Sequence, residues 1–587
     1  MAADFSTRVR NLPTLGLGIS TEFGAGAGGL DPLALRALRP DYVGFLEIGA
    51  DLERGFDSAA EAWIASGAPT TYHFLDLNLE EPTSLDTASM RETAVRARRA
   101  GAAWLCGDAG LWHIGRRDRG HGILQPPILE PSSVDAMADS VRRLRDATGF
   151  EVLPENPPAH VYLGRMHLLD YFAALAERAD TGLLVDLAHL AVYQRVMGHK
   201  PLEGFDRFPW DRVVEIHIAG GTPFRHAGRT FIDDDHGTTL LPELRDMMAA
   251  AFGAASNLRA VVCECERHPI PAVLPLFTSV KAAFDASASV RGSSSETPSR
   301  AAPIATTSIE GDMLAPLQRT LFRCQMDPAF ARRWRGGDAE ARRGDGLSPS
   351  ARDLLVAASA EGVGADNGGR RSAQVLGNVS LECSATVALA MDGGRDSGFV
   401  AEFVASPEFH GAVMADAALP PAFAAYATAR TSGSDDAFLR AVAHLERALV
   451  EVRRMPDGTP PPAGTFGVSP AVAVVSVPEG TLDGWLAVLD ALRAGKLSKL
   501  PRAASGAEDE YILLSKGGSS GAFAPPPGAA ELLDPGTAAL LRAAAIHPLS
   551  EEDIAALARD HEADPADVRG LVDSLVADGV LVYGGTP

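Results

Sequence analysis

The chain has 587 residues and a formal net charge of −23. At roughly 150 residues per domain, this length predicts two to four domains, and the acidic charge argues against binding to nucleic acids or anionic membranes, which require a basic surface. There is no apolar run long enough for a membrane helix, and the first residues lack the apolar core of a signal peptide, so we expect a soluble cytoplasmic protein.

Short apolar runs alternate with amphipathic segments up to about residue 285. Eight of these runs are predicted strands, at Leu15–Ser20, Tyr42–Ile48, Thr70–Phe74, Ala102–Cys106, Phe150–Leu153, Gly182–Asp186, Val213–Ile218 and Ala260–Cys265. Helical patterns separate them, at Asp31–Leu38, Ser58–Ala65, Thr87–Arg99, Ser133–Asp146, Leu168–Glu177, Leu240–Ala251 and Pro271–Phe284. Repeated strand–helix units of this number predict an α/β fold, a TIM (β/α)8 barrel over residues 1–285, whose sites form where strands end.

Residues 286–311 are rich in Ser, Thr, Pro, Ala and Gly, which predicts a flexible linker. Residues 312–587 predict a mostly helical α+β domain. Its predicted helices are Leu314–Cys324, Ser348–Ala358, Ala437–Arg453, Leu482–Ala494, Ser550–Arg559 and Pro565–Ala577, and its predicted strands are Ala471–Val477 and Gly579–Val582. The last two helices and the final strand are similar to part of a winged helix, which in so acidic a chain we expect to bind a peptide or to pack rather than to bind DNA.

Two of the apolar strands carry pairs of metal-capable side chains. Because alternate residues of a strand share a face, Glu215 and His217 point the same way, and Glu264 and Glu266 form a second such pair. Burying unpaired carboxylates costs several kcal/mol each. A cation, most simply a metal ion, is therefore expected between the two pairs.

Further candidates stand at or after the strand ends: His73, Asp108, Glu155 with Asn156, Asp186 with His189, and Asp234 with His236 in a long loop after the seventh strand. Each has a structural alternative, such as a buried histidine bonded to a carbonyl, a salt bridge, a helix cap or a solvated turn. Carboxylates and imidazoles together are typical of iron, manganese or catalytic zinc. The five cysteines include no CxxC pair, so a structural zinc site is not predicted.

Nucleophilic and phosphate-binding alternatives have less support. The sequence contains neither a GxSxG elbow nor a phosphate-binding P-loop. Cys263 and Cys265 are predicted to face the helices, because they alternate with Glu264 and Glu266.

At these residues the chain resembles the multinuclear non-haem iron-dependent oxidative enzymes, a family that includes the oxygenase of methanobactin biosynthesis. The resemblance runs along most of residues 14–285 and rests on the segments 72–79, 155–157, 184–189, 215–220, 234–237 and 264–266. It implies a TIM barrel with two or three irons, which uses dioxygen to modify residues, often cysteines, of ribosomally made peptides. We predict metal ligands at His73, Glu155, Asn156, Asp186, His217, Asp234, His236, Glu264 and Glu266, and catalytic roles for Asp186, His189 and Glu215.

The chain departs from the family pattern at several positions. Gly49–Leu52 and Cys106–Ala109 stand where the family commonly has histidine-containing motifs, Gly221 stands where it favours histidine, and an Asn expected near His189 is missing. Fewer irons, another metal or lost activity are the alternatives, although Asp108 and His113 are placed to compensate. The number of irons stays open.

The second half is similar, more loosely, to the separate partner proteins that hold the peptide substrate of such enzymes. The similarity lies in Leu317–Phe322, Asp327–Phe330, Leu347–Ser350 and the winged tail. It implies that enzyme and partner are fused, dock within one chain and share a precursor peptide. The alternatives are a divalent-metal TIM barrel of the sugar-isomerase or endonuclease type, and a degenerate barrel that only scaffolds a partner.

Overall fold

The computed structural model describes residues 4–21, 29–50, 56–81, 85–113, 124–291, 309–367, 376–377, 379–392, 398–415, 417–434, 436–455, 458–502, 508–516 and 529–585. The chain forms two compact units, one of Met1–Val375 with Val413–Ala417 and one of Leu376–Ala412 with Ala418–Pro587. None of the helices in the described ranges has the length and apolar character needed to cross a membrane.

The first unit contains a closed barrel. Its strands are β1 (Gly16–Ser20), β2 (Phe45–Ala50), β3 (Thr70–Phe74), β4 (Ala102–Asp108), β5 (Val152–Glu155), β6 (Leu183–Asp186), β7 (Val213–His226), β8 (Arg229–Gly237) and β9 (Ala260–Glu264). The spatial order is β6-β5-β4-β3-β2-β1-β9-β7, with β8 beyond β7, and the pairing of β6 with β7 closes the ring. The eight strands other than β8 pair in parallel, which confirms the TIM-barrel prediction.

Helices surround this barrel. They are α1 (Phe5–Arg8), α2 (Pro32–Leu38), α3 (Ser58–Ala65), α4 (Thr87–Ala100), α5 (Pro131–Thr148), α6 (Leu168–Ala179), α7 (Leu187–Met197), α8 (Leu244–Ala254) and α9 (Ile270–Arg291). The aspartates Asp31, Asp57 and Asp86 precede α2, α3 and α4, and each accepts a bond from a first-turn N–H group. The sequence did not predict α7, because Leu187 to Gln194 are all buried and the helix shows no polar face.

Strands β7 and β8 form an antiparallel hairpin that extends past the barrel wall. Their register pairs Thr222 with Asp233 and Gly220 with Gly237. The prediction that Asp234 and His236 stand in a long loop is therefore wrong, since both lie within β8. Acidic residues are depleted in strands, so the run of three aspartates concealed the strand in the sequence.

The interior of the barrel has an apolar lower half. Side chains at the amino ends of the strands fill it, among them Phe45, Trp104, Leu153, Leu184 and Val214, and α1 contributes Phe5. Cys263 and Cys265 belong instead to the layer between strands and helices, as predicted. Because the lower half is packed with apolar side chains, polar chemistry is confined to the carboxyl ends of the strands.

Part of the predicted second domain packs on the barrel. The segment Ile309–Asn367 contains α10 (Leu314–Met326), α11 (Pro328–Arg335), α12 (Pro349–Ala357) and α13 (Ala360–Asn367). Leu317 and Leu321 of α10 share one apolar cluster with Val161 and Leu163 of the barrel. The first unit thus continues past residue 312, the predicted start of the second domain. The predicted linker 286–311 begins inside α9, and its residues 292–308 lie outside the described ranges.

The second unit is helical with two small sheets. Its helices are α14 (Ser384–Met391), α15 (Pro407–Met414), α16 (Leu419–Thr431), α17 (Ala437–Arg453), α18 (Thr481–Arg493), α19 (Pro535–Ile546), α20 (Glu551–Asp560) and α21 (Pro565–Ala577). Its strands are β10 (Phe466–Val468), β11 (Val472–Pro478), β12 (Asp509–Ser515), β13 (Ala530–Leu533) and β14 (Leu581–Tyr583), with β10 paired to β14 and β11-β12-β13 forming the other sheet. The helix–helix–strand prediction for the tail is confirmed.

A pair of glycines tests the packing of the barrel interior. A methyl group on Gly18 of β1 would overlap the ring of Phe45, whereas one on Gly253 of α8 would meet no atom within 4 Å. We expect Gly18→Ala to lower the free energy of unfolding by about 1–3 kcal/mol through overpacking. Gly253→Ala should raise it by about 0.5–1 kcal/mol, because alanine favours the helix. Urea unfolding followed by tryptophan fluorescence measures both, and equal effects of the two substitutions would contradict this description of the interior.

Candidate metal centre

The carboxyl ends of the barrel strands bring most of the predicted site residues together. The group consists of His73 on β3, Glu155 on β5, Asp186 on β6, His217 on β7, Asp234 and His236 on β8, Glu264 on β9 and Glu266 just beyond it. All of them except Asp234 are buried, and the side chain of Asp234 is 16% exposed. Residues far apart in sequence thus form one dry polar cluster.

His217 lies at the centre of this cluster. Its Nδ1 is 3.3 Å from Glu155 Oε1 and 3.2 Å from Glu264 Oε1. On the other side of Glu155, His73 Nε2 is 2.8 Å from Glu155 Oε2. In the part of the chain that the structure describes, the ion pairs of Glu155 and Glu264 are all with histidines.

The hairpin closes the cluster from above. Asp234 Oδ2 lies 3.2 Å from His189 Nε2 and 3.8 Å from His236 Nε2. His236 Nδ1 lies 2.9 Å from Glu266 Oε1, and its Nε2 lies 3.9 Å from Glu264 Oε2. The hairpin residues that the sequence placed in a loop are therefore held within the cluster by strand pairing.

The unbonded atoms of the cluster test whether a metal ion fits it. Glu155 Oε1, Asp186 Oδ2, His217 Nδ1 and Glu264 Oε2 are buried and make no hydrogen bond, although the first and third of these atoms lie within ion-pair distance of each other. One ligand atom each from Glu155, Asp186 and His217 lies within 4.8 Å of the other two. Leaving such atoms unsatisfied costs about 1–3 kcal/mol each, and carboxylate and imidazole are ligands for a divalent metal. The residues present therefore fit a divalent metal ion.

Two more groups of possible ligands adjoin the first. Glu47, His217 and Glu264 form one, and His73, Asp108 and Glu155 form the other, each with its ligand atoms within 4.8 Å of one another. Asp108 of β4 thus lies beside His73 and Glu155, and its role as a substitute for a missing family histidine stays a prediction. His113 is the other residue that was expected to compensate for a missing histidine. The side-chain amide of Asn78 contacts it at the carbonyl oxygen and at Nδ1.

Glu47 is a site residue that the sequence analysis missed. Its Oε2 lies 3.2 Å from His217 Nε2 and accepts a bond from the Cys106 thiol, also at 3.2 Å. A carboxylate on one ring nitrogen orients a histidine so that the other nitrogen can hold a metal, and here the other nitrogen is the unbonded Nδ1. The sequence does contain an indication of this role, because Glu47 interrupts the apolar strand Phe45–Ala50 just as Glu215 interrupts β7.

Two predicted site residues have structural partners. Trp104 Nε1 donates a 2.7 Å bond to Glu215, whose pKa is raised to about 8 by burial and by Glu47. The side chain of Asn156 bonds the backbone of Asp186 through both its amide atoms, and thereby ties β5 to β6. Glu215 is thus placed to be protonated, and Asn156 is placed to hold a neighbouring ligand.

Mutual charge compensation sets the protonation of the metal-free cluster. Burial opposes a charge on His217, but Glu47, Glu155 and Glu264 raise its pKa well above the usual value. Burial likewise opposes a charge on Glu264, but His236 and His217 lower its pKa to about 2. In the metal-free cluster Glu264 is therefore a carboxylate balanced by imidazolium groups, whereas burial, together with Glu264 and Glu155, raises the pKa of Asp186 well above its usual value.

The fold and this cluster define a TIM barrel able to hold a divalent metal at its mouth. Residues 25–286 match the model of a family described as the RiPP precursor modification enzyme MbnB/TglH/ChrH, where RiPP denotes a ribosomally synthesised and post-translationally modified peptide. The match takes in strands β2 to β9 and leaves out β1, the segment Ile309–Asn367 and the second unit.

Relatives among curated proteins match part of the chain. A UPF0276 protein of Caulobacter vibrioides is 34% identical over 120 residues, which are 20% of this chain and 42% of that protein. UPF0276 protein RB0508 of Rhizobium meliloti is 26% identical over 212 residues, 35% of this chain and 65% of that protein. The chain thus spans less than two thirds of the length of these relatives.

Solved structures resemble the barrel distantly. The IOLI protein with a binding zinc atom is 13% identical with a TM-score of 0.30, and covers 48% of this chain and 100% of its own. Endonuclease IV from Thermus thermophilus is 14% identical with a TM-score of 0.28, and covers 47% of this chain and 98% of its own. Likeness at this level carries no argument about activity.

Metal binding should release protons. His217 and His236 are imidazolium groups in the metal-free cluster, because neighbouring carboxylates raise the pKa of each well above the usual value even though burial lowers it. A metal must displace these protons, so its affinity should rise with pH, by about tenfold per pH unit for each proton released. Calorimetric titration with Fe²⁺ in buffers of different ionisation enthalpy counts the protons. A metal affinity independent of pH between about 6 and 8 would contradict this charge arrangement.

Proposed function

We propose that this protein is an iron- and dioxygen-dependent enzyme that oxidatively modifies a ribosomally made peptide, at a cysteine residue. The observation that carries the proposal is the buried cluster around His217, in which carboxylate and imidazole atoms stand without hydrogen bonds. The match of residues 25–286 to a family of RiPP precursor modification enzymes supports a peptide as the substrate.

The donor set favours iron or manganese over a thiolate-bound metal. Cys263 and Cys265 pack between strands and helices. Cys106 forms a possible ligand group with Glu47 and Glu215, but burial and Glu47 raise the pKa of its thiol well above the usual value, which disfavours the thiolate. The remaining donors are oxygen and imidazole nitrogen, which suit iron and manganese. Bound iron would supply electrons for the reduction of dioxygen.

The protein's own side chains would hold the metal in place and would exclude water from the site. Glu155, Asp186, His217 and Glu264 would hold the metal. Glu47 would fix the ring of His217 by its contact with Nε2 of that histidine. The apolar lower half of the barrel excludes water from below. His189 donates from Nδ1 to the carbonyl of Asn156, so its Nε2 faces Asp234 and can hold a proton beside the centre.

Removal of a ligand should empty the centre. We expect His217→Ala and Glu264→Ala each to lower the iron content sharply and to abolish peptide-dependent oxygen consumption, because each leaves a neighbouring charge uncompensated. A matched control is Glu151→Gln, which removes a buried carboxylate that bonds Arg8, Thr181 and Gly182 outside the cluster. This variant should keep its iron and its activity.

After anaerobic reconstitution, elemental analysis measures the iron content and an oxygen electrode measures oxygen consumption, with a cysteine-containing peptide as substrate. Full iron content in both alanine variants would contradict the site. Normal iron content with no peptide-dependent oxygen uptake in the wild-type chain would contradict the oxidative function and favour a metal-dependent isomerase or hydrolase.

We further propose that the second unit holds the leader segment of the precursor while the reactive residue enters the barrel mouth. Tethering raises the effective concentration of a bound peptide near the barrel. Severing the chain between the two units should therefore raise the peptide concentration needed for half-maximal activity and leave the rate at saturation unchanged.

Two protease sites inserted into the folded full chain make this test specific. Cleavage within 368–375 cuts the first connection from the first unit to the second and leaves Val413–Ala417, which belong to the first unit, on the second piece. Cleavage within 292–308 leaves Ile309–Asn367 packed against the barrel through Leu317 and Leu321. Only the first cut should raise the required peptide concentration. If neither cut has an effect on dilute peptide, the second unit has another task.

A further inference from the structure

The helix α13 contacts the barrel beside the candidate metal centre, through an aspartate. Asp366 Oδ1 accepts bonds from the backbone N–H of His160 at 3.0 Å and from its Nδ1 at 2.8 Å. Asp366 Oδ2 accepts a 2.8 Å bond from Gln325 of α10. The side chain of Asp366 is 1% exposed. A buried carboxylate with three donors is therefore held firmly in place.

His160, which bonds Asp366 through Nδ1, also forms a hydrogen bond to the hairpin. Its Nε2 lies 2.8 Å from the carbonyl oxygen of Ile232 in β8. A carbonyl can only accept, so Nε2 donates, and a proton also lies between Nδ1 and the carboxylate. The ring also stands edge-on against Phe224 and Phe231, which face each other across the hairpin.

The segments joined in this way are those that carry predicted ligands. Ile232 precedes Asp234 by two residues and lies in the same strand as His236. His160 belongs to the connection that follows Glu155 at the end of β5. One aspartate from outside the barrel thus fixes two separate parts of the metal centre relative to each other.

The sequence of α13 is adapted to this close approach. A side-chain carbon at Gly362 would overlap the carbonyl oxygen of His160, and one at Gly364 would overlap Nε2 of His226 at the end of β7. Each glycine inside a helix costs about 0.5–1 kcal/mol relative to alanine. That cost is offset only because the helix lies directly on the hairpin.

A chain of buried amides continues the contact on the far side of Asp366. Gln325 Oε1 accepts a 2.6 Å bond from Gln125 of the barrel, and Gln318 donates a 2.9 Å bond to the carbonyl of Pro126. Such buried polar networks fix one arrangement of the packed elements.

From these contacts we propose that Asp366 is a positioning residue for the metal centre. Acting through His160, it holds the hairpin and the connection after β5 at the separation that the metal requires. The inference rests on the proposed function only in that the cluster binds metal, and it makes no use of the peptide or of dioxygen.

The test compares two buried aspartates of the same segment in the full chain. Asp366→Asn retains one acceptor oxygen where three donors need two, whereas Asp345→Asn removes a charge that faces Trp334 and Arg352, within the segment. Removing a group that orients a metal ligand typically weakens metal binding by about 10–100-fold. We expect that loss for Asp366→Asn and unchanged affinity for Asp345→Asn. Anaerobic Fe²⁺ titration against a chromophoric chelator measures the affinity.

Hydrogen exchange provides a second readout that needs no metal. The amides of β8 should exchange faster in metal-free Asp366→Asn than in the wild type, and those of β1 to β3 should not change. His160→Phe keeps the aromatic packing and removes both ring hydrogen bonds, so it should reproduce both effects and replaces Asp366→Asn if that variant fails to fold.

Wild-type metal affinity in Asp366→Asn and His160→Phe would overturn the proposal. Equal losses in Asp366→Asn and Asp345→Asn would also overturn it, because general destabilisation would then explain both. If the wild-type chain binds metal but oxidises no peptide, the proposed function fails and this inference stands. If the wild-type chain binds no metal, the proposed function and this inference both fail, whatever the exchange of β8 shows.

Discussion

The burial of negative charge at the barrel mouth is the constraint on which the rest of the structure depends. Carboxylates from β2, β5, β6 and β9 project into an interior from which water is excluded. Such groups are tolerated only with a compensating cation or a proton. Here the compensation is divided: Glu215 is placed to take a proton, while Glu155 and Glu264 face histidines. Asp186 Oδ2 and Glu264 Oε2, which are buried without a hydrogen bond, mark the place where a metal ion would complete the arrangement.

Much of the barrel could be predicted from the sequence, because its strands are short apolar runs of the period that a buried parallel sheet requires. Thr70–Phe74 was predicted to the residue. Helix α7 escaped prediction for the opposite reason, since its residues from Leu187 to Gln194 are all buried and show no polar period. The hairpin escaped because Asp233, Asp234 and Asp235 resemble a solvated turn, and only pairing with β7 makes them a strand.

The residues of the candidate site likewise differ in whether the sequence could predict them. His217 and Glu264 could be predicted because strand alternation fixes the direction of a side chain before anything is known of its neighbours. The role of Glu47 depends on contact with a residue 170 positions away, which periodicity alone does not encode. The packing of Ile309–Asn367 on the barrel was equally hidden, because composition marks a linker between two halves and does not show which half the following helices join.

The central claim is that the buried cluster around His217 holds a divalent metal. The most direct measurement is the anomalous scattering of a crystal of the iron-loaded protein, recorded on both sides of the iron absorption edge. The account predicts a peak among Glu155, Asp186, His217 and Glu264, the residues whose buried atoms lack hydrogen bonds. Iron-loaded crystals with no anomalous peak among these four residues would contradict it.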